Sequence, residues 1–108
     1  AAEAGSVGLE TALAVALSPD IAISQVLRAM SWRPAELLGL GSPSARTITP
    51  GVTANLTILD PHERFTVSTQ TQATAGTNSA FEGAELRGRV RTTIVDGRVV
   101  VHDGEITQ

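Results

Sequence analysis

The stretch Arg89-Val-Arg-Thr-Thr-Ile-Val-Asp-Gly-Arg-Val-Val-Val-His102 carries the clearest structural signal in the chain. Two runs rich in β-branched residues flank the dipeptide Asp96-Gly97. A type I′ turn requires positive φ at both central positions, and Asp-Gly is among the dipeptides that adopt it most readily. The stretch therefore predicts a β-hairpin with strands at 89–95 and 98–102. A second Asp-Gly pair, at 103–104, predicts a further turn.

Upstream of this hairpin the pattern is also typical of strands. Residues 54–59 alternate in two sets, which predicts a strand that Asp60-Pro61 closes, and residues 64–67 predict a short second strand. The two sets are Ala54, Leu56 and Ile58 against Asn55, Thr57 and Leu59. Residues 68–78 are almost all small or polar and predict a surface loop, and 41–51 predict an irregular connection.

The first forty residues instead show helical spacing. Apolar residues recur at i, i+3, i+4, i+7 and i+8 between positions 9 and 17, which predicts one buried face of a helix over 8–17. Ser18, Pro19 and Asp20 suit the start of a second helix that runs to about Met30. Residues 31–38 predict a short third helix that ends at Gly39. The apolar residues of the two faces are Leu9, Ala12, Leu13, Ala16 and Leu17, then Ile23, Val26, Leu27 and Met30.

Composition excludes several classes of function. The net charge of −3 gives no broad basic surface for nucleic acid or an anionic membrane. No apolar run approaches the roughly 20 residues that a membrane span needs. The chain has no cysteine, which excludes disulfides and thiolate metal sites. All eight basic residues are arginine, so neither Schiff-base chemistry nor a carboxylated-lysine metal bridge can arise within the chain.

The two histidines do not form a metal-binding pattern. His62 and His102 are 40 positions apart, whereas zinc requires three or four converging ligands. We interpret both as surface histidines, and Glu63 and Asp103 beside them as solvated turn residues. The start of the chain lacks the basic and apolar regions of a signal peptide. The chain does not begin with Met, which indicates either trimming or a fragment.

Five segments in succession resemble class I dihydroorotases of the amidohydrolase superfamily. Gly8-Leu9-Glu10-Thr11-Ala12-Leu13 resembles the segment after that family's last metal-site loop, and Arg33–Leu40 resembles its Pro-Ala-x-x-Leu-Gly-Leu helix. Residues 48–61 resemble its re-entry strand, 78–83 its Asn-Thr-Pro-Phe-x-Gly loop, and 87–104 its closing hairpin. Ser79-Ala80 replaces Thr-Pro in that loop.

The resemblance implies an α/β fold made of two parts. Residues 1–40 are expected to be the last helices of a (β/α)8 TIM-type barrel. Residues 41–108 are expected to be the C-terminal half of a small β-sandwich domain. The remainder of the same barrel is then the main partner of this segment, because helices with one apolar face need a surface to cover it.

The resemblance also implies a reaction and a location for its active site. Dihydroorotases interconvert N-carbamoyl-L-aspartate and dihydroorotate in pyrimidine biosynthesis, with zinc activating water. The family's His-x-His pair, further histidines, carboxylated Lys and Asp all precede this segment. We therefore expect neither catalytic nor metal residues here and no activity from the segment alone. The resemblance implies that backbone at Ala4 and Gly5 contacts substrate. At Gly5 the missing Cβ would let an N–H approach a carboxylate or ring oxygen closely. Relatives often carry Phe or Pro at the position of Ala4.

Three alternatives remain open at this point. In the first, the protein is a hydantoinase or allantoinase and acts on the substrates of those enzymes. In the second, it is a non-catalytic dihydroorotase-like subunit that scaffolds aspartate transcarbamoylase. The third is an independent small binding domain, which would leave apolar helix faces exposed. For the main hypothesis we expect a cytoplasmic homodimer that binds neither nucleic acid nor membrane.

Overall fold

A computed structural model of the 108-residue chain describes residues 8–41, 47–73, 75–76 and 78–107. Helical segments come first and a four-stranded sheet follows, with strand order β1-β2-β3-β4. The helical segments are a 3-10 turn Leu9–Thr11, α1 Ala12–Leu17, α2 Ile23–Leu27, a π-helical turn Arg28–Trp32 and α3 Arg33–Leu37. The strands are β1 Leu56–Thr66, β2 Glu85–Val95, β3 Arg98–His102 and β4 Glu105–Ile106. The predicted α/β class is confirmed.

The predicted hairpin is confirmed, and its turn lies at the predicted dipeptide Asp96-Gly97. Strands β2 and β3 pair antiparallel, with Val95 opposite Arg98, and Asp96 and Gly97 have φ of 49° and 78°. The register shifts between Thr93 and Ile94, which leaves one extra residue on β3, a β-bulge. The second Asp-Gly pair also has positive φ at both positions, and β4 follows it antiparallel to β3.

Strand β1 corrects two expectations. It is one continuous strand of 11 residues, so Asp60-Pro61 does not close it and no separate second strand follows. Proline is tolerated because β1 is an edge strand of the described sheet, where a missing N–H need not interrupt a ladder. The alternation also slips at 57–58, so that Ile58 is 54% exposed while Leu59 turns inward.

Backbone hydrogen bonds at both ends of β1 show that it runs antiparallel to β2. The Val67 N–H donates to the Ala84 carbonyl at 2.9 Å, which places the end of β1 beside the start of β2. The Gly97 N–H donates to the Ala54 carbonyl at 2.9 Å, just before β1 begins and just after β2 ends. The whole described sheet is therefore antiparallel.

The first helix forms where it was predicted, but only part of the expected face is buried. Thr11, Ala14 and Leu17 are buried, whereas Leu9, expected on the buried face, is 91% exposed. Spacing alone offers two adjacent apolar stripes on this alanine-rich segment. The stripe that is buried is the one that meets β2, as described below.

The predicted start of the second helix at Ser18 is wrong. Ser18 has helical φ and ψ, and its N–H donates to the Val15 carbonyl at 3.1 Å, so it belongs to the end of α1. An N-cap needs non-helical backbone, and Ala22 has it, with ψ of 134°. The helix therefore begins at Ile23 without a capping side chain.

The second and third predicted helices form one uninterrupted helical run over residues 23–37. Between α2 and α3 the Arg33 N–H donates to the Arg28 carbonyl, the i to i−5 bond of a π-turn. Pro34 explains this turn, because proline has no N–H and its ring clashes with the carbonyl four residues before it. The predicted stop is confirmed. Gly39 has φ of 64°, and the Leu40 and Gly39 N–H groups bond to the Ala35 and Glu36 carbonyls, a Schellman motif.

The chain divides into two compact units. The first comprises Ala1–Asp20 with Pro61–Arg89, and its buried residues within the described part are Thr11, Ala14, Leu17, Val67 and Gly88. The second comprises Ile21–Asp60 with Val90–Gln108, and among its described residues Val26 is the buried apolar one. No helix in the described part of the chain has the length and apolar character needed to cross a membrane. The predicted division at residue 40 remains a prediction.

Candidate functional site

The segment predicted to contact substrate, Ala4-Gly5, lies outside the described residues. The helix that follows it is described from its first turn. The Gly8 carbonyl accepts hydrogen bonds from both the backbone N–H and the Oγ1 of Thr11, each at 3.3 Å. Thr11 is only 2% exposed, so this bond satisfies a hydroxyl that burial would otherwise leave unpaired.

Glu10 lies in the same turn and contacts a distant part of the chain. Its Oε2 accepts a hydrogen bond from the backbone N–H of Ala73, at 3.2 Å across 63 residues of sequence. Ala73 belongs to the loop that was predicted over 68–78, and the described residues of that loop form turns and bends only. A carboxylate that accepts a backbone N–H is a charge-assisted bond, stronger than a neutral one.

A second carboxylate holds the other end of the same loop. Glu82 Oε2 accepts a hydrogen bond from the Thr69 N–H at 2.9 Å. Between the two, the Thr71 N–H and Oγ1 both donate to the Ser68 carbonyl, at 3.2 and 3.0 Å. The loop is therefore shaped by backbone and carboxylate hydrogen bonds. We call residues 68–73 the tethered loop.

The turn that carries Glu82 corresponds to the Asn-x-x-Phe-x-Gly segment. The Phe81 N–H donates to Ser79 Oγ at 3.2 Å, and the Ala84 N–H donates to the Phe81 carbonyl at 2.8 Å. Gly83 has φ of 79°, a conformation that favours glycine. Its N–H donates to the Val67 carbonyl at 2.9 Å, so the turn closes onto the end of β1.

The far end of α1 is held on β2 by two neighbouring residues. Gly88 has φ of 101°, and a Cβ there would lie 2.6 Å from Leu17 Cδ1 and 3.8 Å from Ala14 Cα. Glycine suits this position because φ of 101° disfavours other residues and because a Cβ would require the terminal methyl of Leu17 to move. Arg87 Nη2 donates to the Leu17 carbonyl at 3.4 Å, one of the last carbonyls of the helix that lack an intrahelical partner. The side of α1 that carries Ala14 and Leu17 therefore faces Gly88 of β2.

Both histidines are exposed. His62 is exposed on β1, and His102 Nε2 lies 3.5 Å from Asp103 Oδ2, both side chains largely exposed. Among the described residues, no group of three or more His, Cys, Asp or Glu side chains could hold a metal ion. Zinc therefore does not fit the part of the chain that the structure describes.

Comparison with known proteins places the chain in a family. The model of the amidohydrolase family matches residues 2–100. The chain belongs to the amidohydrolase family. Within this family, curated relatives include dihydroorotases from Trichlorobacter lovleyi, 37% identical over 100 residues, and Acetivibrio thermocellus, 36% identical over 104 residues. These alignments cover 89% and 92% of this amidohydrolase chain but only 23% and 24% of the relatives.

The solved structures that superpose well on this chain are hydantoinases. An L-hydantoinase (dihydropyrimidinase) from Arthrobacter aurescens superposes with a TM-score of 0.83 at 29% identity, over 96% of this chain and 24% of its own. A D-hydantoinase superposes with a TM-score of 0.82 at 25% identity, over 94% of this chain and 23% of its own. The amidohydrolase chain therefore spans about a quarter of the proteins it resembles.

Sequence reasoning missed three contacts that order this region. Glu10 was interpreted as a first-turn residue, and nothing in its neighbourhood pointed to Ala73. The hydrogen bond from the Thr69 N–H to Glu82 likewise joins two positions whose local sequence gives no indication of the contact. Gly88 could have been suspected, because an isolated glycine inside a strand pattern often marks close approach of another backbone.

Proposed function

We propose that this chain is the C-terminal part of a dihydroorotase, a zinc-dependent hydrolase of cyclic amides. The observation that supports the proposal is its similarity to curated dihydroorotases at 34–37% identity over about nine-tenths of the chain. The reaction would be the interconversion of N-carbamoyl-L-aspartate and dihydroorotate. Because the chain spans about a quarter of these relatives, the activity belongs to the full-length gene product.

In this proposal residues 1–40 are the last helices of a (β/α)8 barrel, and residues 41–108 are half of a β-sandwich. Large exposed apolar side chains on the helical run 23–37 and just beyond it support this placement, since clustered apolar surface implies a covering partner. These side chains are 36–72% exposed in the chain by itself: Ile23, Met30, Trp32, Leu37, Leu38 and Leu40. The remainder of the barrel would cover them.

The chemistry is assigned to residues outside this chain. Zinc would be held there and would supply an activated water, and the described residues contribute no ligand set. Ala4 and Gly5 would contact substrate through their backbone, and the first turn at Leu9–Thr11 would fix the helix that follows them. The chain alone would be inactive. We further propose a cytoplasmic homodimer for the full-length protein, with aspartate transcarbamoylase as the partner to be tested by co-purification.

A hydantoinase activity is the second candidate. It is favoured by the superposition on hydantoinase structures with TM-scores of 0.82 and 0.83. Identity to those proteins is 25–29%, below the 36–37% shared with the dihydroorotases named above, which places hydantoinase second. Superposition reports the shared scaffold, whereas substrate class depends on the site built on it.

The test is a comparison of substrates by the purified full-length gene product. We expect bound zinc and a kcat/KM for dihydroorotate that exceeds those for hydantoin and allantoin. A preference for hydantoin would replace the main proposal with the second candidate. Bound zinc with no turnover of any of the three would contradict both. Absence of both zinc and turnover would instead indicate a non-catalytic subunit, to be checked by co-purification with aspartate transcarbamoylase.

A further inference from the structure

The two Asp-Gly dipeptides that form the turns of the sheet, Asp96-Gly97 and Asp103-Gly104, share a reactivity that the proposed function does not use. Glycine has no Cβ to hinder its amide nitrogen, which can therefore attack the Cγ of the preceding aspartic acid. An N–C bond forms, and the amide proton and the carboxyl hydroxyl leave as water to give a succinimide. Addition of water at the α-carbonyl of that ring, with cleavage of its bond to nitrogen, yields isoaspartate.

Both turns hold the dipeptide in the same backbone conformation. Asp96 and Gly97 have φ of 49° and 78°, and Asp103 and Gly104 have φ of 50° and 80°. In both turns the glycine N–H donates a backbone hydrogen bond, at 2.9 and 3.0 Å respectively. An amide nitrogen held in this way cannot turn onto Cγ, so ring closure requires the turn to open first. Because the reacting dipeptide is the same, the ratio of the two reaction rates reports the ratio of the two opening equilibria.

The turn between β2 and β3 is bound from outside its own hairpin. The Gly97 N–H donates to the Ala54 carbonyl at 2.9 Å, and the Asp96 N–H donates to Asn55 Oδ1 at 3.0 Å. Ala54 and Asn55 immediately precede β1 and belong to the same compact unit as the hairpin. Opening this turn therefore breaks two hydrogen bonds to a third segment of the chain.

The turn between β3 and β4 leads into a shorter pairing. β4 is an edge strand of the described sheet and pairs with β3 at two positions, whereas four residue pairs join β2 to β3. Thr107 extends the β4 pairing, since its N–H donates to the Val100 carbonyl at 2.9 Å and its Oγ1 donates to the Val99 carbonyl at 2.7 Å. The Asp103 side chain is 73% exposed. Short edge pairings open at a lower free-energy cost than longer ones.

We propose that Asp103-Gly104 is a site of isoaspartate formation in the folded protein, and that Asn55 protects Asp96-Gly97 from the same reaction. Isoaspartate places an extra carbon in the backbone between β3 and β4, so the register of their short pairing is lost. The reaction needs no reagent besides water. It is independent of which substrate the full-length protein turns over, so it can be tested whether or not the proposed function holds.

The experiment ages the purified full-length gene product near neutral pH and quantifies isoaspartate over time by peptide mapping. Trypsin separates the two sites, because cleavage after Arg91 and Arg98 places Asp96 and Asp103 in different peptides. In the folded protein we expect Asp103 to react at least about fivefold faster than Asp96, since the Asn55 bond alone should slow Asp96 about two- to tenfold. In denaturant the two rates should agree within about twofold, because neither turn is then formed.

Three results of this comparison would overturn the proposal. Equal rates in the folded protein would mean that the two turns open equally often. A faster reaction at Asp96 would reverse the assignment of the site. A folded protein in which neither dipeptide reacts, although both react in denaturant, would show that the turn at Asp103 does not open enough.

Variants at Asn55 test its protective role. Asn55→Ala removes the acceptor of the Asp96 N–H and should raise the rate at Asp96 about two- to tenfold, with Asp103 unchanged. Asn55→Asp keeps an acceptor oxygen and should keep Asp96 near its wild-type rate. A variant that fails to fold would raise both rates together, so Asp103 is the internal control. An unchanged rate at Asp96 in folded Asn55→Ala would contradict the protection.

Amide hydrogen exchange tests the structural consequence. The Thr107 N–H, which bonds to the Val100 carbonyl, should exchange faster in protein isomerised at Asp103 than in fresh protein. Asp103→Glu is the matched control, because ring closure from the longer side chain is much slower, and its Thr107 amide should stay unchanged through the same ageing. Full protection of Thr107 in the isomerised fraction would contradict the loss of the β3–β4 pairing.

Discussion

Helix α1 and the helical run over 23–37 both carry apolar side chains at helical spacing, but their burial is very different. Ala14 and Leu17 of α1 are 2% and 4% exposed, because the helix meets Gly88 of β2 within the same unit. Of the described residues 23–37, only Val26 is buried, and Leu37 is 70% exposed. Amphipathic spacing therefore shows that a helix needs a partner, and it does not say whether that partner lies in the same segment.

The largest expected effect comes from filling the space between α1 and β2. Gly88→Val would add a branched side chain at φ of 101°, within 2.6 Å of Leu17 Cδ1. Backbone strain and overpacking together should lower the free energy of unfolding by about 3–5 kcal/mol. Denaturant unfolding of the full-length protein measures it. Gly97→Val is the control, since φ there is 78° but nothing lies within 4 Å, and strain alone should cost about 1–2 kcal/mol. Equal losses would contradict the close approach.

The next largest loss of stability is expected from removing the Leu17 side chain from the same contact. Leu17→Ala removes a side chain that is 4% exposed and should cost about 2–4 kcal/mol of unfolding free energy through lost burial and a cavity. Leu9→Ala is the matched control on the same helix, because Leu9 is 91% exposed, and it should cost under about 0.5 kcal/mol. Chemical denaturation of the two variants side by side decides which of Leu9 and Leu17, both placed on one face by spacing, is buried. A larger loss for Leu9→Ala than for Leu17→Ala would contradict the burial seen in the structure.

The smallest effect tests whether the 23–37 run has its partner elsewhere in the protein. Leu37→Ala should cost about 1–3 kcal/mol in the full-length gene product, despite being 70% exposed in this chain, if the rest of a barrel covers it. Thermal unfolding of the full-length variant against wild type measures this. A loss under about 0.5 kcal/mol would mean that this face stays in water and would count against the barrel placement.

Local chemistry made some features predictable from sequence. Asp96-Gly97 and Asp103-Gly104 specify turns because few dipeptides accept positive φ at both positions, and the structure has positive φ at all four. Gly39 ends a helix for the same reason. The family was also predictable, because its motifs are local patterns, and residues 2–100 match its model.

Features that depend on distant partners were not predictable. Ser18 carries a capping side chain, but its backbone is helical because α1 continues through it to meet β2. Pro61 looks like a strand breaker, but the edge position of β1 removes the penalty. The hydrogen bond from the Ala73 N–H to Glu10 joins positions 63 residues apart, and the local sequence around neither residue indicates it.

The sequence by itself determined the turn positions, the helix stop at Gly39, the order of helices before strands and membership in the amidohydrolase family. Each follows from backbone preferences of single residues or from short patterns. Only the tertiary structure decided which stripe of α1 is buried, that β1 is continuous, and that Glu10 reaches the tethered loop. Those outcomes depend on which surfaces meet, and the free energy of a contact is set by both partners rather than by either sequence segment alone.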